Sequence, residues 1–308
     1  MRKRALLGLV GLLVLAGCGH GSSPTATTPP AASPAVSADP AADMQALEQV
    51  VVDASGGGTP QVTLPSTPFS VSTPVARLVS DGDGAALATG QGMLVRELTV
   101  SGVDGSTMVD AWADAPQGGL VVGDNSEIGN FDAVLTTAHV GALVLVAIPA
   151  SAAETDLFLL EITDTYAMQA TGTAVPAVAG LPVVAVDAAG VPTGITASGT
   201  PPTSLVVQPL IAGDGPKTAA GQTVIVQYTG WLWDGTKFDS SWDNGSPFSF
   251  KLGASQVIAG WDEGVAGQSV GSRVLLVVPP DKGYGDQDNG TIPPGSTLVF
   301  VVDILAAA

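Results

Sequence analysis

Cysteine is almost absent from this chain of 308 residues, in which Cys18 is the only one. A monomer therefore cannot form an internal disulfide, and its folded parts have to be held by apolar burial and hydrogen bonds. Basic residues are scarce too, with 10 lysines and arginines against 28 acidic residues. This charge balance favours solubility and argues against nucleic acid or an anionic lipid surface as an electrostatic partner.

The chain also lacks long apolar runs. Its N-terminal apolar segment is too short to span a bilayer comfortably. Basic residues 2–4 precede an apolar segment, residues 5–15, and residues 15–18 read Leu-Ala-Gly-Cys, which is similar to a bacterial lipobox. We therefore predict that residues 1–17 are a lipoprotein signal peptide. Acyl chains on Cys18 would then anchor the protein on the extracytoplasmic side of the cell membrane. An ordinary cleaved signal peptide with an unmodified cysteine is the alternative.

Apolar periodicity is missing from residues 18–44, which are rich in Gly, Ser, Thr, Pro and Ala. Such a segment cannot form a core, so we predict a flexible tether. From residue 45 onward, short runs of Val, Leu, Ile and Thr alternate with Gly, Pro and Asp. This pattern is typical of an antiparallel β fold, and no long stretch has a helical period.

The rest of the chain contains an internal repeat, which predicts two copies of one domain. We place a degenerate first domain at residues 45–166, a linker at 167–182 and a second domain at 183–308. The matching features are Asp-Gly at 83–84 and 214–215, Gly-Gln at 90–91 and 221–222, Asp-Gly at 104–105 and 234–235, and Trp112 and Trp242.

Aromatic residues make up 5% of the chain, yet they concentrate between residues 228 and 300. An ordinary core could use Val and Leu, whereas rings with polar tips suit a lined apolar pocket. The ordered motifs are Tyr-Thr-Gly at 228–230, Asp-Gly at 234–235, Lys-Phe-Asp-Ser-Ser at 237–241, Pro-Phe at 247–248, Val-Ile-Ala-Gly-Trp-Asp-Glu-Gly at 257–264, Gly-Tyr-Gly at 283–285, Ile-Pro-Pro at 292–294 and Thr-Leu-Val-Phe at 297–300.

In this order the motifs closely resemble those of the FKBP-type peptidyl-prolyl cis–trans isomerases, with the core of the resemblance at residues 205–308. The resemblance implies an α+β fold with two FKBP-like domains, each a bent antiparallel β-sheet, or half-barrel, wrapped around a short α-helix. It implies isomerisation of proline peptide bonds without a cofactor or a metal. The implied partners are proline-containing peptides, unfolded exported proteins and rapamycin-type macrolides.

The resemblance also implies the roles of the site residues. Trp261, on a short helix over residues 257–263, would form the floor under the proline ring. Asp239, held by the Tyr228 hydroxyl, would contact the rotating carbonyl, and Tyr284 would donate a hydrogen bond to a substrate carbonyl, as would the Ile258 N–H. The substrate-binding walls would be Tyr228, Phe238, Phe248, Val257, Ile258 and Phe300, and Ile292 would lie on a flap beside the pocket.

The chemistry of prolyl isomerisation fits an apolar pocket. The C–N bond has partial double-bond character and a barrier of roughly 18–20 kcal/mol. The planar amide is more charge-separated than the twisted one, so an apolar pocket relatively favours the twisted transition state. A catalyst of this reaction therefore needs no nucleophile, metal or cofactor.

One departure from the family leaves two functions open. Asn244 stands where many members have an Arg that pairs with the Asp, so Asp239 lacks that charge partner. The first function is an isomerase that assists folding of exported proteins at the outer face of the cytoplasmic membrane, which Asp239 and Tyr284 favour. The second is a non-catalytic chaperone or proline-binding lipoprotein, which the loss of the Arg favours.

The first copy keeps framework positions and loses pocket positions. Glu97, Met108 and Val109 stand where the second copy has Tyr228, Phe238 and Asp239. The segment that carries Tyr284 in the second copy is much shorter in the first. We therefore predict that the first copy has no active site.

The lipid anchor is directly testable. Replacing Cys18→Ser should release the protein from membranes, since no other apolar segment is long enough to hold it once the signal peptide is removed. Fractionation of cells followed by a salt wash of the membranes measures this release. Retention of a normally cleaved Cys18→Ser protein on the washed membranes would contradict the anchor.

Overall fold

The computed structural model describes residues 38–151 and 154–308. The signal peptide, Cys18 and most of the predicted tether lie outside these ranges. Contacts divide the chain into two compact units that change over between Thr165 and Tyr166, except that residues 90–92 and 117–119 group with the second unit. In the part of the chain that the structure describes, no helix is long and apolar enough to cross a membrane.

The first unit begins with a helix and a hairpin and continues as a six-stranded sheet. The strand order is β3-β7-β8-β4-β5, with β6 also paired to β4. Its elements are α1 (Pro40–Glu48), β1 (Val51–Asp53), β2 (Gln61–Thr63), β3 (Val75–Ser80), β4 (Gly92–Ser101), β5 (Thr107–Asp110), β6 (Gln117–Val121), α2 (Phe131–Leu135), β7 (Leu143–Pro149) and β8 (Thr155–Tyr166).

The second unit has a seven-stranded sheet in the order β9-β12-β16-β17-β13-β14, with β15 also paired to β13. A separate hairpin, β10–β11, precedes most of it. Its elements are β9 (Thr173–Ala174), β10 (Val183–Val186), β11 (Pro192–Thr196), β12 (Val206–Ala212), β13 (Thr223–Leu232), β14 (Lys237–Ser240), β15 (Phe248–Lys251), α3 (Ala259–Val265), β16 (Arg273–Val278), a 3₁₀ turn (Pro280–Lys282) and β17 (Leu298–Ala307).

The two sheets have the same strand order, since β3-β7-β8-β4-β5 corresponds to β12-β16-β17-β13-β14. Both units place their short helix between matching strands. The hairpins β4–β5 and β13–β14 also shift register at matching steps, between Thr99 and Val100 and between Gly230 and Trp231. The predicted fold class, α+β with an antiparallel sheet against a short helix in each half, is confirmed.

Both faces of the second sheet are buried, which explains its near-continuous apolar strands. Successive side chains of a strand point to opposite faces. Val224 and Val226 of β13 therefore belong to the core on the α3 side, whereas Trp231 packs in a second core. The hairpin β10–β11 supplies Val184 and Ile195 to that second core.

Two glycines let α3 lie close to the sheet. A Cβ on Gly260 would be 2.5 Å from Val278 Cγ1, and one on Gly264 would be 2.7 Å from Leu276 Cδ2. The helix begins at Ala259, two residues later than the sequence predicted. The reason is that Ile258 is extended, with φ −62° and ψ 152°, and caps the helix with its carbonyl.

The predicted tether is too long at its C-terminal end, because α1 already begins at Pro40. The Asp39 carboxylate caps this helix by accepting the Ala42 N–H at 3.1 Å. Asp43 is buried and accepts hydrogen bonds from the N–H and hydroxyl groups of both Ser72 and Thr73 at 2.7–2.8 Å. We call these bonds of Asp43 with Ser72 and Thr73 the Asp43 clamp. The composition of residues 40–44 does not reveal it, because Ser72 and Thr73 lie far along the chain from Asp43.

Part of the predicted linker also belongs to a sheet. Within residues 167–182, β9 pairs with β12, and the Ala170 N–H donates to Asp303 Oδ2 at 2.9 Å. The second unit therefore begins to form contacts well before residue 183.

The Asp43 clamp predicts a pH-dependent contribution to stability. Burial alone would raise the pKa of Asp43, but the hydrogen bonds from Ser72 and Thr73 outweigh it and hold that pKa below its ordinary value. Since the folded pKa is depressed, the stabilisation is present above about pH 4 and is lost as the pH falls through the folded pKa. Replacing Asp43→Asn should cost about 1.5–3 kcal/mol at pH 7.

Urea unfolding of residues 38–308 between pH 3 and 7 measures this cost, and hydrogen exchange assigns it to α1. The matched control is Asp53→Asn, because Asp53 is an exposed carboxylate whose one partner within residues 38–151 and 154–308 is Ser55. Equal stability of the Asp43→Asn protein and the unchanged protein at pH 7 would contradict the clamp.

Candidate active site

Aromatic rings gather around Trp261 on the α3 side of the second sheet. The Trp261 side chain is only 4% exposed. Its ring lies 5.1 Å from that of Tyr228, 5.6 Å from Phe250 and 5.3 Å from Phe300, with interplanar angles of 86°, 64° and 89°. Edge-to-face packing of this kind is a favoured geometry for aromatic pairs. Trp261 is therefore the centre of the cluster.

Strand β15 adds two rings because residues two apart share a face. Phe248 and Phe250 stack with centroids 5.8 Å apart and an interplanar angle of 18°. Phe250 is buried, while Phe248 is 38% exposed and lies 5.9 Å from Tyr228. Phe248 was predicted as a wall residue and Phe250 was not, although their spacing on a strand already placed both on one face.

Gly230 is a second residue that the sequence analysis did not assign to the site. A Cβ at this position would lie 2.7 Å from Phe238 Cζ and 2.9 Å from Phe300 Cε1. Without it, the Phe238 and Phe300 rings meet edge to face at 5.5 Å and 87°. The glycine of the Tyr-Thr-Gly motif therefore makes room for two pocket rings.

A carboxylate is fixed at the edge of the aromatic cluster. The Tyr228 hydroxyl donates a hydrogen bond to Asp239 Oδ2, and the Ser240 N–H donates to Asp239 Oδ1 at 2.8 Å. Asp239 is otherwise exposed. Within the described residues, no Lys, Arg or His side chain forms an ion pair with Asp239. Lys237, which lies two residues earlier on β14, pairs with Asp243 at 2.5 Å.

Two hydrogen-bond donors at the site have no protein partner. The Tyr284 side chain is 37% exposed, and its hydroxyl bonds to no group in residues 38–151 or 154–308. The Ile258 N–H likewise has no acceptor among the described residues. Both groups are therefore free to donate to a ligand.

The remaining predicted wall residues also join the core on the α3 side. Val257 and Ile258 are half-buried there, and Ile292 is 4% exposed, so it lies inside the core rather than on an open flap. The structure thus brings the predicted apolar pocket residues into one core, with Asp239 bonded to Tyr228 at its edge. Cys18 lies outside the described residues. Within those residues, no group of three or more His, Cys, Asp or Glu side chains could hold a metal ion.

The first unit has a different set of residues at the matching strand positions. Glu97 replaces Tyr228, is 4% exposed and accepts a hydrogen bond from the Thr99 hydroxyl at 2.6 Å. Thr99 itself stands at the position of Gly230, where the second unit has no room for a side chain. Met108, at the position of Phe238, is 54% exposed. Among its described residues, the first unit therefore has neither the ring cluster nor a counterpart of Asp239.

The hydrogen bond between Tyr228 and Asp239 has a measurable electrostatic consequence. Burial is the main cause that raises the pKa of Tyr228, and the hydrogen bond and negative charge of Asp239 raise it further. Replacing Asp239→Asn should therefore lower the pKa of Tyr228, which still stays above its ordinary value because the ring remains buried. Titration of residues 38–308 carrying ¹³C-labelled tyrosine, followed by NMR, measures this change.

The control for this titration is Asp243→Asn, which removes an exposed carboxylate of the same loop and should leave the pKa of Tyr228 unchanged. A Tyr228 pKa that does not respond to Asp239→Asn would show that the two side chains are not coupled in solution.

Comparison with known proteins places the second unit in a family. Residues 215–305 match the model of the FKBP-type peptidyl-prolyl cis-trans isomerase family. An FK506-binding protein of Streptomyces anulatus is 49% identical over 111 residues, which cover 35% of this chain and 90% of that protein. The peptidyl-prolyl cis-trans isomerase Fkbp12 of Drosophila melanogaster is 54% identical over 103 residues, which cover 32% of this chain and 94% of that protein.

Among solved structures, FkpA from Escherichia coli is 38% identical, with a TM-score of 0.32 and coverage of 40% of this chain and 51% of that chain. The assignment rests on the two sequence relatives, each of which this chain covers almost completely at about half identity. The chain belongs to the FKBP-type peptidyl-prolyl cis–trans isomerases.

Proposed function

We propose that the second unit isomerises proline peptide bonds in exported proteins at the outer face of the cytoplasmic membrane. The observation that carries this proposal is the Tyr228–Asp239 pair beside the aromatic floor formed by Trp261. Unassisted proline isomerisation takes tens of seconds and limits folding, so a catalyst near the site of export would be useful.

The pocket supports this reaction by binding and by its polarity. The proline ring packs on Trp261 between the rings of Phe238, Phe248 and Phe300. Tyr284 and the Ile258 N–H donate hydrogen bonds to substrate carbonyls and hold the chain on either side of the proline. The buried rings disfavour the charge-separated planar amide, so the twisted amide is relatively stabilised.

Catalysis is a better proposal than binding alone, because Asp239 is held without the family arginine. Its two oxygens accept hydrogen bonds from the Tyr228 hydroxyl and the Ser240 N–H. Asn244 stands at the arginine position, and its backbone N–H donates to the Ser240 carbonyl at 3.3 Å. A non-catalytic proline-binding or chaperone lipoprotein is the alternative that the experiment below tests.

The same pocket is proposed to bind rapamycin-type macrolides. Relatives of this chain in Streptomyces anulatus and Neisseria meningitidis are named FK506-binding proteins. An apolar pocket with two free hydrogen-bond donors, on Tyr284 and on the Ile258 backbone, suits a large and mainly apolar ligand with carbonyl groups.

The first unit is proposed to be a degenerate copy of the same domain. Its matching strand order and register shifts support common descent, and the replacements Glu97 and Thr99 argue against a proline pocket. A buried carboxylate is costly in an apolar binding site. This unit would then serve as a spacer or as a second surface for clients.

The membrane location is proposed from the lipobox-like sequence at Cys18. Lipid on this residue would hold the protein at the membrane, and the residues between Cys18 and Asp39 would connect it to α1. Such a tether of Ala, Pro, Ser and Thr residues would let the isomerase reach exported chains near the membrane.

A protease-coupled peptide assay on residues 38–308 tests the active site. Asp239→Ala and Tyr284→Phe should each lower kcat/KM at least about tenfold, or about 1.4 kcal/mol of transition-state stabilisation. Trp261→Ala should weaken binding of both peptide and macrolide because it removes the floor. The double variant Asp239→Ala, Tyr284→Phe should keep the circular dichroism of the unchanged protein.

Asp243→Ala is the matched control, since it removes an exposed carboxylate of the same loop and should leave activity unchanged. Isomerisation by the folded double variant at the rate of the unchanged protein would overturn the site assignment. If that activity disappeared only when the first unit was removed, the first unit would be active and its degeneracy would be wrong.

A further inference from the structure

An ion pair joins the two segments that carry the floor and the free hydroxyl of the site. Glu263 lies on α3 two residues after Trp261, and Lys282 ends the 3₁₀ turn two residues before Tyr284. Lys282 Nζ lies 2.5 Å from Glu263 Oε1 and 2.7 Å from Glu263 Oε2. The pair therefore bridges α3 and the segment of residues 279–296.

Few other contacts fix this segment. Its backbone hydrogen bonds are internal, such as those from Gly285 to Pro280 and from Gly295 to Gly285. Ile292 anchors its far end by packing in the core. Among the described residues, the Glu263–Lys282 pair is the one side-chain hydrogen bond or ion pair that joins residues 279–296 to another element.

The helix residues of the two units show whether Glu263 belongs to the framework that both units share. The preceding carboxylate, Asp262, accepts hydrogen bonds from the Gly253 and Ser255 N–H groups. Asp132 of the first unit does the same for its own preceding loop. This carboxylate therefore belongs to the framework of both units.

Glu263, in contrast, has no acidic counterpart in the first unit. The matching residue in α2 is Ala133, and β7 and β8 of the first unit are joined by only a short connection, without a counterpart of Tyr284. The acidic residue is thus present where the Tyr284 segment is present and missing where that segment is missing.

We propose that Glu263 and Lys282 are positioning residues for the isomerase site, which hold the segment that carries Tyr284 against α3, the helix that carries Trp261. An exposed ion pair contributes little to global stability, typically about 0–1 kcal/mol. A small displacement of a binding group nevertheless lowers the rate strongly, because catalysis depends on orientation. The proposal rests on the role assigned to Tyr284 above.

The test uses residues 38–308 with Glu263→Gln, Lys282→Met and the charge-reversed double variant Glu263→Lys, Lys282→Glu. Each single variant should lower kcat/KM about threefold to tenfold, less than the roughly hundredfold loss that a 1 Å displacement can cause, with an unchanged Tm. The charge-reversed protein should recover most of that loss. In a Tyr284→Phe background, Lys282→Met should cause no further loss, because the two changes remove one contribution.

The matched control is Arg96→Met, which breaks an ion pair in the first unit. Arg96 and Glu161 are 2.9 Å apart and partly exposed, and the loss of their pair should leave activity unchanged. Single variants as active as the unchanged protein would overturn the proposal, as would a loss that adds fully to that of Tyr284→Phe. A Tyr284→Phe protein with full activity would also overturn it. An unchanged protein without isomerase activity would instead refute the proposed function, so the two failures are distinguishable.

Discussion

The close approach of α3 to the sheet is the constraint on which the site depends. Trp261 reaches the rings of β13, β15 and β17 because Gly260 and Gly264 place no side chain between the helix and β16. Larger residues at these glycines would push the helix outward and open the pocket floor. Gly230 performs a similar function on the sheet, where it admits the Phe238 and Phe300 rings. The pocket is therefore shaped by absent side chains as much as by aromatic ones.

The two units pair the acidic residue of their last strand with different cations. Asp303 of β17 lies across from Arg273 of β16 and forms a two-pronged pair with it at 2.5 and 2.7 Å. In the first unit, Glu161 of β8 lies across from Leu143 of β7 and pairs instead with Arg96. The acidic residue thus occupies the same position of the last strand in both units, whereas its basic partner lies on β16 in the second unit and on β4 in the first. Asp303 is buried and would be strongly destabilising without Arg273, whereas Glu161 and Arg96 are partly exposed, so the loss of their pair costs much less.

Short alternating runs in the sequence predicted an antiparallel β fold, and the resemblance of residues 228–300 to the family's motifs implied the fold class and the pocket residues. Alternation along β15 places Phe248 and Phe250 on one face, but the sequence did not assign Phe250 to the pocket. It did not predict α1 or the Glu263–Lys282 pair, because neither leaves a local pattern. Asp43 bonds to groups 29 and 30 residues away, and Lys282 lies 19 residues after Glu263. It also did not predict that hairpin β10–β11 would cover the second face of the sheet.

Comparison of the two units separates framework from site more sharply than either unit alone. The Asp that holds the loop before the helix occurs in both units, as Asp132 and Asp262. Changes concentrate at Glu97 and Thr99, which face the position of the pocket, and at the connection before the last strand. The strand order is the same in both units, so they differ in a few side chains and in one segment. The first unit has a buried core of its own without that segment.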